Sequence, residues 1–528
     1  MATAAMTPSA SASSSSASSL PRTTTRLKVL SLNVWGLAFF SKKRDVRIPA
    51  IAQQLAASDY DIVALQEMWC ESTDWRDLRT RCSGRFPYSK FFYGGAFGSG
   101  LAFLSRQPIV ATQTHPYSLN GHPIFVHHGD WIAAKAAGCV TLSVEGLGLV
   151  DVWNTHTVAA GGEDGPESRR AHRVSQAYEL ASFARLSAER GHHVICCGDF
   201  NSTPPSLSIA VLQDVAGLTD AYSAANPERS AHATSLPNQR SLRRPDPRRC
   251  IHELGVTCDS PINTWTAGKK LDERALKGAG KRLDYIFFRG PAKGTAATGP
   301  ESKVKLQCTQ ARVCFTELVP GHEVSYSDHF GLEASFDIVQ DQAQESQDAF
   351  TLSPKMAQTL TASLSAFSSG LVIARRSQHV HFLGFVAAVA LAIFFVGFSA
   401  SKTLGRGGLA AVWTFLAIAC GWAGTTLLYS AVVWGEWEKR TYRTFLEAME
   451  LELNIYRRQE EEWSASRQSP STRKAELAAS ASSANGSTAS AHEAGPASSK
   501  EESLVSIDPE DGGAGSTSNG ASSETNLI

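Results

Sequence analysis

Polar side chains that bind metals or move protons stand at the ends of short apolar runs in this sequence. In chain order they are Asn33, Glu67, Asn154, His156, Asp199, Asn201, Asp284, Asp328 and His329. Ligands of an open α/β sheet bind beyond the strand ends, so side chains placed there are expected to meet. Carboxylate and carboxamide oxygens suit a hard cation such as Mg²⁺. One such residue alone is more often a turn or capping residue, and only the whole set predicts a site.

Alternating strands and helices are predicted to position these side chains. Leu30 and Leu32 alternate with polar neighbours, as in a half-buried strand, and apolar residues recur at helical spacing over 48–55. The other main predicted strands are residues 61–65, 149–153, 194–197 and 283–288. Strands that alternate with helices indicate an α/β fold in which helices cover the sheets.

The motifs that contain these residues resemble those of a known superfamily. They are SLNVWG (31–36), QEMW (66–69), NTH (154–156), GDFN (198–201), RLDYI (282–286) and SDHFG (327–331). In this order they are typical of the endonuclease/exonuclease/phosphatase superfamily of metal-dependent phosphodiesterases. The resemblance covers residues 27–338 and implies a DNase I-like, four-layered α/β sandwich.

Within the superfamily, the sequence is most similar to neutral sphingomyelinases and to fungal inositol phosphosphingolipid phospholipase C. Residues 32–37 (LNVWGL) and 261–265 (PINTW) carry this likeness, together with two apolar segments after the catalytic domain. Residues 129–135 (GDWIAAK) also resemble the P-loop-like segment of these enzymes, whose Asp and Lys are thought to gate activity. Here these would be Asp130 and Lys135. The alternative is a turn at a strand edge with a surface lysine.

The resemblance implies a Mg²⁺ ion held by Glu67, with Asn33 as its neighbour. His329 would act as the general base that takes a proton from water, and Asp284 would orient it. The segment at 129–135 lacks the GK[ST] ending of a nucleotide P-loop, so ATP binding is not expected.

Four further residues complete the implied site. Asp199 and Asn201 would position the water and the phosphate, and Asp328 would lie close to the metal or its water. His156 would donate to the developing negative charge, with a buried structural histidine as the alternative.

The expected reaction is phospholipase C-type hydrolysis of a sphingolipid head group, which leaves ceramide. A nuclease of the same superfamily would want a basic groove, whereas 50 Lys and Arg residues balance 50 Asp and Glu residues here. An inositol polyphosphate phosphatase would carry a different segment around GDFN. A catalytically dead membrane scaffold is the alternative from another class. The expected partners are a membrane sphingolipid and activating anionic phospholipids, without nucleic acid.

The pattern of composition divides the chain into six regions. They are a disordered leader (1–26), the catalytic domain (27–338), a linker (339–379), two transmembrane helices within 380–435 (about 382–399 and 409–434), an amphipathic cytosolic helix (436–462) and a disordered Ser/Ala-rich tail (463–528). A helix needs about 20 apolar residues to cross a bilayer, so both apolar segments qualify.

Basic residues predict the topology. Five of them flank the two spans on the outside (Arg375, Arg376, Lys439, Arg440 and Arg443), and only Lys402 and Arg406 lie in the joining segment. The positive-inside rule therefore predicts that both termini and the catalytic domain face the cytosol. The expected membrane is the endoplasmic reticulum, with mitochondrial association as the alternative. Ten cysteines without a CxxC pair agree with reduced thiols in such a compartment.

Overall fold

The structure is a computed structural model, and it describes residues 26–95, 97–125, 129–159, 165–229, 245–292, 304–340, 354–405 and 408–467. One compact unit extends to Gln459, and the chain from Glu460 is counted as a second unit. The predicted leader, except Arg26, and the predicted tail beyond residue 467 lie outside the described residues.

The described strands form two six-stranded sheets. They are β1 (Arg26–Asn33), β2 (Ile62–Gln66), β3 (Tyr88–Phe92), β4 (Leu101–Ser105), β5 (Ile109–Pro116), β6 (Ala136–Val144), β7 (Gly148–His156), β8 (His193–Asp199), β9 (Thr219–Asp220), β10 (Asp284–Arg289), β11 (Val304–Cys314) and β12 (Gly331–Gln340). The first sheet has the order β11-β12-β1-β2-β4-β3, and the second has the order β5-β6-β7-β8-β10-β9. Each sheet contains one parallel pair, β1 with β2 and β7 with β8.

Helices α1 and α2 cover the outer face of the first sheet, and α4 covers that of the second. The described helices are α1 (Arg44–Ala56), α2 (Arg76–Cys82), α3 (Asp130–Ala133), α4 (Glu167–Glu189), α5 (Leu207–Ala210), α6 (Ala221–Ala225), α7 (Pro247–Leu254), α8 (Glu273–Gly278), α9 (Pro354–Ala400), α10 (Leu409–Leu428) and α11 (Gly435–Arg467). Short π-helical turns precede α2 (Glu71–Trp75), follow α5 (Val211–Val215) and join α10 to α11 (Tyr429–Trp434).

Three of the buried apolar clusters in the described part of the chain hold these layers together. One lies between the sheets, where Val29 and Ile62 of the first sheet meet Val152 and Ile195 of the second. Another packs α1 and α2 on the first sheet, and a third packs α4 on the second. Because each sheet is apolar on both faces, it must be covered on both, and the predicted four-layered α/β sandwich is confirmed.

The predicted linker is helical from Pro354 and packs against the catalytic domain. Met356, Leu360, Phe367 and Leu371 are buried in the same cluster as α4. They recur at spacings of four and seven residues, which places them on one face of α9. Ser, Thr and Ala residues between them obscure this stripe in a search for continuous apolar runs. The segment 354–379 therefore packs onto the domain as part of its apolar core. Residues 341–353 lie outside the described residues.

Helix α11 packs beside α9 on the same surface. Tyr442, Phe445 and Met449 are buried there, and a side chain at Gly370 of α9 would collide with the Tyr442 ring. Arg185 Nη1 donates to Glu452 Oε1 at 2.9 Å, which ties α4 to α11. The amphipathic helix predicted at 436–462 is thus part of the packed unit up to Gln459 and extends as a helix to Arg467.

A second polar contact lies where α11 begins. His172 of α4 donates from Nε2 to Glu438 Oε1 at 3.0 Å, and His122 Nδ1 lies 3.9 Å from Glu438 Oε2. We call His122, His172 and Glu438 the juxtamembrane cluster. It joins the catalytic domain to the helix that follows the second apolar segment.

Within the described ranges, two helical segments are long and apolar enough to cross a membrane, one within Pro354–Ala400 and one within Leu409–Glu462. Large apolar side chains in the second half of α9, including Leu391, Ile393 and Phe394, are exposed on its surface. Length, composition and this exposure suggest association with a membrane.

Candidate active site

The register of the second sheet aligns three of the predicted site residues. His156 at the end of β7 pairs with Asp199 at the end of β8, and Asp199 pairs with Asp284 at the start of β10. Because these strands are neighbours, the three side chains form a row across one edge of the sheet. Gly198 makes the row possible, since its φ is +153° and a Cβ there would collide with the Thr155 carbonyl.

The parallel pair of the first sheet brings Asn33 and Glu67 to the same edge. Asn33 ends β1 beside Gln66 of β2, and Glu67 follows with a left-handed φ of 56°. Asn33 Nδ2 donates to Glu67 Oε1 at 3.2 Å and to Asp199 Oδ2 at 3.0 Å. This carboxamide therefore joins the active edges of the two sheets.

His329 reaches the row from the loop before β12. Its Nδ1 lies 2.9 Å from Asp284 Oδ2, and its Nε2 lies 3.7 Å from Asp199 Oδ2. Burial favours the neutral imidazole, but Cys258 and the carboxylates of Asp284 and Asp199 outweigh it and raise the pKa of His329. The contact with Asp284 fixes the orientation of the ring and leaves Nε2 directed towards the centre of the site.

Lys135 contributes a buried cation beside His156. Its Nζ lies 2.7 Å from Nε2 and 3.0 Å from Nδ1 of that ring, and 3.9 Å from Asp130 Oδ1. Burial, and then the positive charge of Lys135, lower the pKa of His156 well below its ordinary value, so this ring is neutral. The predicted pair Asp130 and Lys135 is thus buried at the site, and the alternative of a surface lysine is wrong.

Asn201 and Asp328 complete the predicted set. Asn201 has a left-handed φ of 44°, its backbone N–H donates to Asp199 Oδ1 at 3.0 Å, and its Nδ2 donates to the Thr157 carbonyl at 3.1 Å. Asp328 Oδ2 accepts from Lys269 Nζ at 3.4 Å. The structure therefore brings all ten predicted side chains to one edge of the sandwich.

The donor set fits a divalent cation. The outer oxygens Oδ1 of Asp284 and Oδ1 of Asp328 are buried and have no hydrogen-bond partner among the described residues. Burial and then the charge of Asp328 raise the pKa of Glu67, and burial raises the pKa of Asp199 despite the opposing field of His329. The raised pKa values show that the negative charge of these buried carboxylates is not fully compensated. A hard cation bound by their oxygens would compensate it.

Two contributors were not predicted. Gln66 Nε2 donates to Asn154 Oδ1 at 2.7 Å, and Asn154 Nδ2 donates to the Leu65 carbonyl at 2.8 Å, so a buried polar bridge joins the two sheets beneath the site. Lys269 comes from the segment 267–280, which reads as a surface insertion. For Gln66, its position next to Glu67 in the QEMW motif could have indicated a place at the site. For Lys269, nothing in the local sequence indicates one.

Comparison with known proteins places this geometry in a family. The model of the endonuclease/exonuclease/phosphatase family matches residues 30–329. The chain is 35% identical over 315 residues to inositol phosphosphingolipids phospholipase C of Schizosaccharomyces pombe, which covers 59% of this chain and 68% of that protein. It is 32% identical over 335 residues to the Saccharomyces cerevisiae protein of the same name, covering 59% of this chain and 64% of that one.

The crystal structure of sphingomyelinase C from Streptomyces griseocarneus is also similar, at 19% identity and a TM-score of 0.38, over 59% of this chain and 99% of that one. The two fungal relatives are matched over about two thirds of their length. The matched region contains Asn33, Glu67, Asp199, Asp284 and His329, the residues that converge in the structure. The chain therefore belongs to the endonuclease/exonuclease/phosphatase family.

Proposed function

We propose that this chain is a Mg²⁺-dependent phosphodiesterase of the phospholipase C type, which hydrolyses a sphingolipid to ceramide and a phosphorylated head group. The observation that carries the proposal is the convergence of Asn33 and Glu67 with Asp199, Asp284 and His329 at one sandwich edge. The names of the two fungal relatives point to the same chemistry on inositol phosphosphingolipids.

His329 serves as the general base in this proposal. Asp284 accepts from Nδ1, so Nε2 is the nitrogen that takes the proton of the attacking water. The water oxygen forms a bond to phosphorus, the bond from phosphorus to the ceramide oxygen breaks, and the ceramide alkoxide takes up a proton from solvent, to which His329 then returns the proton it took. Asp199 lies beside Nε2 and orients the water.

The other side chains hold the phosphate and its developing charge. Asn33 fixes the relative positions of Glu67 and Asp199 through two hydrogen bonds. His156 is neutral and therefore can donate one N–H, and Lys135 supplies a fixed positive charge beside it. Donors already aimed at such a charge need no reorganisation during the reaction, which is why they lower the barrier.

Glu67 would hold Mg²⁺, with Asn33 beside it and the unpartnered oxygen of Asp328 close to the ion or its water. Bound Mg²⁺ would neutralise charge on the phosphate oxygens and, by offsetting the field of the carboxylates, lower the pKa of His329. Glu67 has the exposure this role needs, because about 21% of its side chain is open to solvent.

Asp130 and Lys135 are proposed to regulate this site. Lys135 contacts His156, and Asp130 lies 3.9 Å from the same ammonium while its Oδ1 accepts from the Ala159 N–H at 3.2 Å. A movement of Asp130 would therefore change the charge felt at His156 without displacing the metal ligands.

The two apolar segments are proposed to cross the membrane with both termini and the catalytic domain in the cytosol. More basic residues lie at the outer flanks of the two segments than in the segment that joins them, and the flanking ones include Arg375, Arg376 and Lys439. This anchorage holds the domain beside a lipid substrate, and anionic lipids are the proposed activators.

A head-group panel tests the proposal. Purified full-length protein in mixed micelles is assayed with inositol phosphoceramide, sphingomyelin, a phosphoinositide and DNA, with Mg²⁺ and with a chelator. We expect release of the phosphorylated head group from a sphingolipid only with Mg²⁺. Cleavage of DNA or removal of a phosphate from the phosphoinositide would favour the rival members of the family. No turnover of any substrate would favour a scaffold.

A further inference from the structure

The loop after β1 exposes two aromatic rings. In Leu37–Lys43, which we call the aromatic loop, Phe39 is fully exposed and Phe40 has 74% of its surface exposed. Adjacent exposed Phe rings on a folded domain are costly in water and mark a surface that meets an apolar partner.

The base of this loop is fixed. The buried guanidinium of Arg47 donates to the carbonyls of Val34, Trp35 and Lys42 at 2.9, 2.7 and 2.9 Å, and so joins the two ends of the loop. Trp35, Phe39 and Lys43 have left-handed backbones, with φ values of 48°, 69° and 47°. Such strain persists only where the surroundings enforce it, so the chain holds its rings outward at a conformational cost.

The same loop carries unpaired positive charge. Lys42 and Lys43 are exposed, and neither forms an ion pair with any residue in the described part of the chain. Aromatic rings beside lysines are typical of segments that lie at the interface of an anionic bilayer, where the rings enter the head-group region and the lysines meet phosphate.

The aromatic loop lies at the edge that carries the site. It directly follows Asn33, and β2 and β3 run in the same direction as β1, so their following loops reach the same edge. The loop after β3 exposes Tyr93 and Phe97, with 62% and 66% of their surfaces open. The mouth of the site is therefore flanked by exposed aromatic rings.

The second sheet places this edge beside the apolar helices. The loop after β5 starts at the same edge, because β5 runs in the direction of β7. Trp437 Nε1 donates to the Ser118 carbonyl of this loop at 2.8 Å, and Trp434 Nε1 donates to His122 Nδ1 at 3.4 Å. Trp434 and Trp437 stand at the end of the second apolar segment, where a helix leaves a bilayer.

We propose that the aromatic loop is a bilayer-contacting element, in which Phe39 and Phe40 enter the head-group region of an anionic membrane while Lys42 and Lys43 bind its phosphates. The proposal rests on the proposed function, because it needs the apolar helices in the membrane. Contact of the aromatic loop with the bilayer would place the open side of the site against the lipid surface, so that a head group could enter without leaving the bilayer.

Photocrosslinking in vesicles tests the contact directly. Full-length protein carrying benzoylphenylalanine at Phe39 is reconstituted into vesicles of phosphatidylserine and phosphatidylcholine and then illuminated. The same label at Phe394 is the positive control, and at Leu186 it is the negative control. Leu186 is exposed and lies about 21 Å along α4 from His172, away from the span ends.

We expect lipid adducts at positions 39 and 394 and none at 186. Adducts at 394 with none at 39, or with protein at 39, would overturn the proposal and leave the membrane anchorage intact. Absence of adducts at 394 would overturn the anchorage and the present proposal together.

Charge reversal gives an independent measurement. The double variant Lys42→Glu/Lys43→Glu should lose at least about 25-fold in turnover on vesicles with phosphatidylserine, since loss of each lysine near an anionic surface costs about 5-fold and the new carboxylates add repulsion. The loss should shrink at high salt and on neutral mixed micelles. Arg26→Glu, at the opposite end of β1, is the matched control. Equal losses in both variants, or a loss independent of lipid charge and salt, would contradict the proposal.

Discussion

Among the described residues, two clusters of histidine and carboxylate lie at or near full burial, and they differ in whether their hydrogen-bonding atoms already have partners. In the active-site cluster, Asp199, Asp284 and His329 offer ligand atoms within reach of one another, and so do His122, His172 and Glu438 in the juxtamembrane cluster. Residue types and spacing alone make both groups candidates for a metal.

Hydrogen bonding separates the two clusters. His172 Nδ1 accepts from the Gly121 N–H at 3.0 Å, so the proton of this neutral ring is on Nε2, which donates to Glu438. His122 Nδ1 accepts in the same way from Trp434. Nδ1 of His172 already accepts a hydrogen bond, so a metal bound at Nε2 would require a lone pair on both ring nitrogens. Only a deprotonated imidazolate has two. The juxtamembrane cluster is therefore a structural tie.

The active-site cluster is left unsatisfied. Oδ1 of Asp284 and of Asp328 are buried without a partner among the described residues, and Glu67 and Asp199 have raised pKa values because burial disfavours their charge. A buried carboxylate oxygen in a folded protein normally finds a partner, so two unpartnered carboxylate oxygens at one site indicate a ligand. Unmet hydrogen-bonding capacity thus distinguishes the candidate active site from the structural tie.

The largest expected effect comes from removing the base. His329→Ala should lower turnover of the preferred sphingolipid by about 10²–10⁴-fold, because general base catalysis typically contributes that much. The measurement is head-group release under saturating Mg²⁺. His252→Ala is the control, since that side chain is exposed on α7. Turnover within a few-fold of the unaltered protein would remove His329 from the mechanism.

A smaller loss is expected when the fixed charge beside His156 is removed. Lys135→Met should lower turnover by about 10²-fold, the scale measured for loss of one preorganised electrostatic donor. The apparent Mg²⁺ requirement should change less, since Lys135 is not among the proposed ligands. Lys277→Met, on the exposed face of α8, is the matched control. Unchanged turnover in Lys135→Met would make the buried lysine structural.

Substitutions in the juxtamembrane cluster should lower the stability of the fold without changing turnover. Glu438→Leu leaves the buried His172 N–H without an acceptor, which should lower the free energy of unfolding by about 1–3 kcal/mol. Glu438→Gln keeps an acceptor oxygen and should cost less. Thermal unfolding in micelles measures the difference, with Glu447→Leu on the exposed face of α11 as control. A loss of turnover at unchanged stability would show that the two clusters had been distinguished wrongly.

The smallest expected effect is a pH dependence of the tie. Burial and then the field of His172 lower the pKa of His122 to about 4, with Glu438 opposing and Arg169 and His381 adding to the shift. Below about pH 6.5, His122 is protonated in the unfolded chain but stays neutral in the folded protein. The free energy of unfolding therefore falls as the pH drops towards 4.

The slope from this one group is at most about 1.4 kcal/mol per pH unit. Thermal unfolding between pH 7 and 5 should show a shallower decline in His122→Gln than in the unaltered protein. An identical decline in both would assign the pH dependence to other groups.

Much of the architecture could be predicted from local patterns. The motif GDFN places Asp199 after a strand, and Asp284 stands within the next predicted one, so the row across the second sheet follows from short-range signals. The sandwich follows from apolar strands that need cover on both faces. The linker at 339–379 was expected to contain a possible helix, but its packing on α4 was not predicted, because small residues dilute its apolar stripe.

Long-range contacts were beyond prediction. Lys269 reaches Asp328 from a segment without periodicity, and the contact depends on how that loop folds back on the site. The tautomer of His172 depends on the Gly121 N–H, a contact across 51 residues of chain. Such facts are set by tertiary geometry, and no local pattern carries them.

Mg²⁺ affinity distinguishes the active-site cluster from the juxtamembrane cluster. Mg²⁺ is titrated calorimetrically into the full-length protein in micelles and into the variants Glu67→Gln and Glu438→Gln. Loss of a residue that supports a ligand typically costs 10–100-fold in metal affinity, so losing Glu67 itself should cost more than about 100-fold. We expect that loss in Glu67→Gln and unaltered binding in Glu438→Gln. Binding that survives in Glu67→Gln and disappears in Glu438→Gln would contradict the account.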